Sequence, residues 1–447
     1  MKNTNSTYYL VSLGCAKNLV DSNAMMRLMA TQKLQPVDRP GRAKYLIVNT
    51  CGFIEQARQE SLQVISDLAQ HKKADQFLIA TGCMTQRYRE ELLKMVKGID
   101  GMLGTRRWMD ILDVIQAFQD DRPTTPYLHF PLAESMGRDE KDIPAIAIQG
   151  KSSYLKIADG CRRPCAYCAI PLIKGTLVSR PLESIVRDAQ LLQTQGIKEI
   201  NLIAQDVTDY GHEFGLKDGL VTLLKELVKT IPEVPWIRLL YTFPGYISDS
   251  LIETMAENHQ ILPYLDLPLQ HADRDVLKSM QRPPDTQWVK DTIHKMRTIM
   301  PDLALRTTFI VGYPGETEPA FQNLMNFVDE IRFDHIGVFT YSKEVNTPGE
   351  SLGDPIPQHV KDQRLETLIT HQAKISLEKN QTLIGKQMDI LIEGKDDDQH
   401  ILVGRSQRDA PEIDGLVIVE GQGEVGDLLP VRIHSAMTHD LIGTLDA

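Results

Sequence analysis

Cysteine is scarce in this chain, with six in 447 residues. That excludes a disulfide-stapled secreted scaffold, because such folds are short and dense in cysteine. Long apolar runs are missing as well. No stretch approaches the ~18–20 apolar residues that span a bilayer, and Met1–Thr7 has no basic stretch leading into an apolar core, so no signal peptide is expected. Positive charge is also in deficit: 49 Lys and Arg against 60 Asp and Glu give a formal net charge of −11. The shortage is greatest from Gln381 to Ala447, where 13 acidic and 5 basic residues leave −8. A segment of this sign repels phosphate backbones and suits a basic partner, or is simply a solvated surface. The expected compartment is the cytoplasm, with no membrane contact, and the expected role of reduced cysteines there is metal ligation or catalysis.

What is present divides into three regions, and the fold class is α/β. Residues 1–122 carry the apolar runs Tyr8–Ser12, Tyr45–Asn49 and Phe77–Ala80 with helical patterns between them. That alternation predicts a doubly wound parallel sheet. Polar, proline-containing stretches at 119–123 and 138–144 read as a linker. Residues 150–380 hold six strand-like runs, opening at Tyr154, Glu199, Trp236, Tyr264, Ala304 and His335. Helical segments separate them, and a long polar helix, Gln358–Asn380, leads out. Six βα units predict a partial or complete (βα) barrel with its chemistry at the C-terminal strand ends. Residues 381–447 change to short strands, Gln387–Ile392, His400–Val403, Leu416–Glu420 and Leu429–Ile433, which predict a small antiparallel β-barrel.

The cysteines fall into two sets. Cys161, Cys165 and Cys168 follow the first barrel strand within Gly160–Cys168. Three thiolates this close can wrap an iron–sulfur cluster and leave the fourth iron of a [4Fe–4S] cube open. A structural zinc site is the competing reading, and it requires a fourth ligand that no neighbouring Cys or His supplies. Cys15, Cys51 and Cys83 each close an apolar run, at spacings of 36 and 32 residues. Each spacing matches one βαβ step, so the three thiols are expected along one sheet edge, where such folds place ligands. The competing reading is three small buried hydrophobes.

The Cys161–Cys168 spacing, Cys-x3-Cys-x2-Cys, resembles the radical S-adenosylmethionine enzymes. With the N-terminal cysteine set and the small C-terminal barrel (the TRAM module), nearly the whole chain resembles the methylthiotransferase family. Several stretches look like the branch that modifies ribosomal protein twelve of the small subunit, the RimO type. These are Ser12–Ser22, Asn49–Ala57, Ser179–Glu183, Leu202–Asp206, Asp266–His271 and Gly404–Gly415. The loop Lys343–Thr347 departs from that pattern, which would carry a second acid or a glycine.

The resemblance implies two [4Fe–4S] clusters and S-adenosyl-L-methionine. It implies a cofactor-derived radical, and a methylthio group delivered to the β-carbon of an aspartate. Its partners would be a basic ribosomal protein, free or in the subunit, and an electron donor. The alternatives are a tRNA adenosine methylthiotransferase, which the acidic C-terminal region disfavours, and a non-catalytic iron–sulfur electron carrier, which needs no open iron. The segment Gly312–Glu316 resembles the loop that approaches the cofactor, so Gly312 and Glu316 are candidate cofactor contacts, as is Gln205 at a strand end. Arg306 is read as a carboxylate clamp on the same face. Arg405, Glu412 and Asp414 are candidate substrate-recognition residues. Met25, Met26 and Met29 read as core filler.

Overall fold

The computed structural model describes residues 6–118, 124–131, 136, 141–396, 398 and 400–445. The leader reading at residues 1–5 and the linker reading at 119–123 and 138–140 lie outside the described residues.

The first region is an all-parallel sheet of β1 Thr7–Ser12, β2 Gln35–Pro36, β3 Tyr45–Thr50, β4 Phe77–Gly82, β5 Gly101–Gly104 and β6 Tyr127–His129. Their order is β2-β1-β3-β4-β5-β6. Strands β3 and β4 are buried along their whole length, which is why they read as continuous apolar runs rather than alternating ones. Tyr45 and Ile47 pack on one face with Met25 and Met29 of helix α1, Ala16–Thr31. Leu46 and Val48 pack on the other with Ile65 of α2, Glu55–His71. Helices therefore cover both faces, and the strand order switches direction about β1, opening a crevice at the strand ends. Pairing of Tyr127–His129 with β5 carries the sheet past residue 122. A three-residue strand between polar segments gives almost no periodic signal.

The second region contains β7 Ile146–Gln149, β8 Ser152–Lys156, β9 Ala158–Asp159, β10 Val178–Ser179, β11 Glu199–Ile203, β12 Trp236–Leu239, β13 Tyr264–Asp266, β14 Ala304–Val311 and β15 His335–Thr340. Strands β8, β11 and β12 pair in parallel, as do β13, β14 and β15. An Ile237–Ile261 bridge joins the two halves. The barrel is partial: β7 caps one edge antiparallel to β8, β15 forms the other edge, and the two do not pair among the described residues. Chain after β15 becomes the exit helix Gln358–Gln381 instead of another strand.

The third region closes into a barrel of β16 Gln387–Asp396, β17 Ile401–Ser406, β18 Val417–Glu420, β19 Leu428–Ala436 and β20 Leu441–Leu445. Strand β20 escapes sequence detection because Gly443 breaks its alternation. A Cβ there would stand 2.5 Å from the Val431 side chain, so the interior requires the gap.

This small barrel seats on the N-terminal ends of the large barrel's strands. Glu199, the first residue of β11, is buried and accepts hydrogen bonds from Arg238 at 2.9 Å and from Arg405 of β17 at 2.6 Å. Helix α1 packs from the first region against β7 and β8. Val20, Tyr154, Trp236, Leu391 and Ala410 consequently belong to one apolar cluster drawn from all three regions. No helix of the described residues is long and apolar enough to cross a membrane.

Candidate metal and cofactor centre

Parallel register places the ends of β1, β3 and β4 side by side, with Ser12 opposite Asn49 and Thr50 opposite Gly82. The thiols of Cys15, Cys51 and Cys83 follow those ends directly. All six cysteines line a single cavity of about 480 Å³ at the C-terminal ends of the barrel strands. At Gly14 the backbone has φ +89, and a Cβ would lie 2.8 Å from Cys51 Cβ and 3.0 Å from its Sγ. Only glycine leaves both the turn and the sulfur where they are. Asn18 ties the neighbouring loops together by donating to the carbonyls of Leu13 and Thr50 at 3.0 and 2.9 Å. Its Oδ1 faces the Cys83 thiol at 3.5 Å.

On the barrel side the Arg163 backbone N–H donates to Cys161 Sγ at 3.4 Å, and Arg282 Nη1 approaches Cys165 Sγ at 3.6 Å. Arg163 is fixed by Asp206 at 2.7 Å and lies on the Tyr246 ring at 3.7 Å. Burial pushes the Cys161 thiol up to about 11, and it raises Cys51, Cys83 and Cys168 as well. Desolvated thiols of this kind ionise when a metal supplies the opposing charge. Two groups of three soft donors, no fourth thiol in either, and a gap kept open at Gly14 fit two iron–sulfur cubes with one open iron each.

Charge is arranged around the cavity with few loose ends. Asp21 of α1 enters the barrel and pairs with Lys156 at 2.5 Å and Lys174 at 2.9 Å. Asp159 completes the square, 2.5 Å from Lys156 and 3.4 Å from Lys174. The departing loop at 343–347 has a role of its own. Buried Glu344 forms ion pairs with Arg58 and Arg87 of the first region, each at 2.7 Å, clamping the two regions at another point. Lys17 lies over the Tyr241 ring, 3.2 Å from its centroid, and burial draws its pKa down. Tyr241 and Gln270, both cavity-lining, have φ of +65 and +75. Such strain in non-glycine residues persists where surroundings over-determine it, and it concentrates at functional sites.

Three family models match consecutive parts of the chain: uncharacterized protein family UPF0004 at residues 7–104, the radical SAM superfamily at 155–328 and the TRAM domain at 384–445. The ribosomal protein uS12 methylthiotransferase RimO of Chloroflexus aurantiacus is 43% identical, covering 98% of this chain and 99% of its own. The RimO protein of Geobacter sulfurreducens is 40% identical over all of both chains. This chain belongs to the RimO family. The fold is also seen in the radical S-adenosylmethionine methyltransferase TsrM of Kitasatospora setae, solved with cobalamin and a [4Fe–4S] cluster. It superposes with a TM-score of 0.57 at 12% identity, covering 78% of this chain and 74% of TsrM.

Within this RimO-family structure the other residues singled out in the sequence separate. Gln205 lines the cavity and donates to Asp159 at 3.4 Å. Arg306, Gly312 and Glu316 are not among the cavity-lining residues. Arg306 is the third residue of β14, near its N-terminal end, and pairs with Asp414 at 3.4 Å. The clamp read onto Arg306 assumed the opposite end of the strand. Glu316 is buried; it accepts from the Gly312 N–H at 2.9 Å and from Arg364 at 2.7 Å, tying its loop to the exit helix.

Arg405 is 1% exposed and Asp414 receives the Tyr264 hydroxyl at 2.7 Å, so both face the barrel and not solvent. Glu412 is exposed at the same seam and accepts from Gln149 at 2.7 Å. Lys17, Asn18, Tyr241 and Arg282 escaped the sequence reading. The signal for the first two was their place within Ser12–Ser22, two and three residues after Cys15.

Proposed function

We propose that this protein transfers a methylthio group to the β-carbon of an aspartate in small-subunit ribosomal protein uS12. Its cofactors are two [4Fe–4S] clusters and S-adenosyl-L-methionine. The observation that carries the reading is two triads of thiols opening on one cavity. Cys161, Cys165 and Cys168 would hold the cluster that engages the cofactor, and Cys15, Cys51 and Cys83 the cluster that carries the sulfur. When bound, these groups supply one-electron chemistry, which an aspartate β-carbon requires because it offers neither a leaving group nor a readily lost proton.

The chain's own residues do the rest. Arg163 and Arg282 orient the sulfurs of Cys161 and Cys165, and Gly14 keeps room beside Cys51. Asp21 and Glu344 bolt the first region onto the barrel, so the two triads keep a fixed separation. The walls between are largely apolar, which keeps water from reactive species.

It would act in the cytoplasm, served by a one-electron donor. Its C-terminal barrel would meet the basic substrate through exposed acids such as Asp389 and Glu420. Transfer RNA is not expected to bind. Of the five basic residues in that barrel, Arg405 is locked on Glu199 and Arg408 on Asp334, leaving too few for a phosphate track.

The test is anaerobic incubation of the reconstituted enzyme with uS12, free or within the small subunit, and with tRNA. Mass spectrometry should find the methylthio mass on a uS12 aspartate, with tRNA unchanged. Modified tRNA beside untouched protein would give the chain to the sister activity.

A further inference from the structure

Four cationic side chains line the cavity: Lys17, Arg163, Lys174 and Arg282. Three are committed. Arg163 holds Asp206 at 2.7 Å and Asp209 at 3.3 Å. Lys174 holds Asp21 and Asp159. Arg282 spans Cys165 Sγ and the Pro268 carbonyl. Lys17 is different. Among the described residues no carboxylate lies within 4.0 Å of its Nζ and no acceptor takes its hydrogen bonds; its neighbour is the ring of Tyr241. The nearby acidic groups are engaged elsewhere: Asp159 with Lys156 and Lys174, Asp266 with the Tyr241 N–H at 2.9 Å, and the Cys15 thiol would be taken up as a cluster ligand. Its ammonium opens on the cavity with no carboxylate to pair with, whereas charges at buried positions are ordinarily paired.

The support beneath Lys17 is built for that position. Tyr241 takes φ +65, a strained backbone conformation for a non-glycine residue. Two backbone hydrogen bonds hold it there, its N–H to Asp266 and its carbonyl from the Val207 N–H at 3.0 Å. So held, Tyr241 lines the cavity with its ring beneath Lys17. An ammonium resting on a ring face keeps donors directed away from it, toward the open space between the two cysteine triads.

We propose that Lys17 is the carboxylate clamp of this cavity, and that the carboxylate it takes is the side chain of the substrate aspartate. The inference rests on the methylthiotransferase reading and specifies how that reaction selects its residue. S-adenosylmethionine also carries a carboxylate. Lys17, however, belongs to the region bearing Cys15, Cys51 and Cys83, whereas the cofactor would engage the cluster held by Cys161, Cys165 and Cys168. As a clamp, Lys17 fixes the β-carbon one bond from the group it grips, and it distinguishes aspartate from asparagine.

The experiment uses full-length reconstituted enzyme and fluorescent peptides spanning the target loop of uS12, with Asp or Asn at the target, read by anisotropy. On the wild type the Asn peptide should bind roughly 10- to 100-fold more weakly, the range for a buried charge-assisted hydrogen bond. Lys17→Met should weaken the Asp peptide by a similar factor and abolish the difference between peptides. Lys17→Arg should restore part of it, and it covers the case in which the methionine variant loses iron. Cofactor affinity, measured by equilibrium dialysis, should follow the wild type in both variants. Equal binding of the two peptides to the wild type overturns the proposal, as does an Asp preference that survives both substitutions. A loss of cofactor affinity in place of peptide affinity would assign the carboxylate to the cofactor and overturn it too. A wild type that modifies no uS12 peptide or protein would instead remove the underlying reading, whatever Lys17 binds.

Discussion

The Asp21 carboxylate and the Lys156 ammonium meet at 2.5 Å, although one comes from the first helix of the chain, the other from the large barrel, and neither side chain is more than 2% exposed. Removing Asp21 leaves two buried ammoniums, Lys156 and Lys174, sharing the single carboxylate of Asp159. Asp21→Asn should therefore destabilise the protein by about 3–5 kcal/mol, seen as a lower urea midpoint. Limited proteolysis should cut more readily between the first region and the barrel.

Glu199 gives a pH signature. Burial alone would raise its pKa, but Arg238 and Arg405 more than reverse that and hold it at about 2, against 4.5 for an ordinary glutamate. A depressed folded pKa gives stability that is complete above the unfolded value and is lost as pH falls toward the folded one. Urea midpoints should therefore fall between about pH 4.5 and pH 2 beyond what other acids contribute. Glu199→Gln should be less stable at neutral pH and show a shallower acid slope. A slope unchanged in that variant would mean the ion pairs do not report on this seam.

The clusters should load independently. Cys165→Ala is expected to retain about four of about eight irons and to lose cofactor cleavage. Cys51→Ala should also retain about four, but keep slow cleavage without methylthiolation. Iron analysis and chromatography of the cleaved nucleoside separate the two cases, and zinc in anaerobic preparations would contradict both.

Gly14→Ala tests the gap beside Cys51 without replacing a ligand. The added methyl meets Cys51 at 2.8 Å in a backbone conformation that costs an L-residue about 1–2 kcal/mol. Iron should drop toward half of the wild-type content while thermal unfolding moves only a few degrees. Full iron content would show that the loop can shift and that the gap is not required.

The sequence carried a good deal of this architecture, for identifiable reasons. Cys51 and Cys83 were readable because they end strands whose apolar runs are continuous, so each thiol had a sheet edge to belong to. Strands β6 and β20 were hidden, one by being three residues long and the other by Gly443. Arg306 and Asp414 went astray for another reason. They pair with each other across the seam between the two barrels, and a contact between residues more than a hundred positions apart leaves no mark in the local pattern. Lys17 was missed because its distinguishing property is the lack of a partner, and that exists only once every other cation has been placed.

The apolar cluster joining Val20, Tyr154, Trp236, Leu391 and Ala410 changes what it means to divide this chain. Its three regions look like beads on a string in sequence order, yet each supplies part of a common interior. A fragment cut at either boundary would carry an uncovered oily face and would be prone to self-association. Exchange of one region between relatives would require recutting that shared interior, so these regions should change by coordinated substitution more readily than by shuffling. The joints in the chain are not joints in the fold.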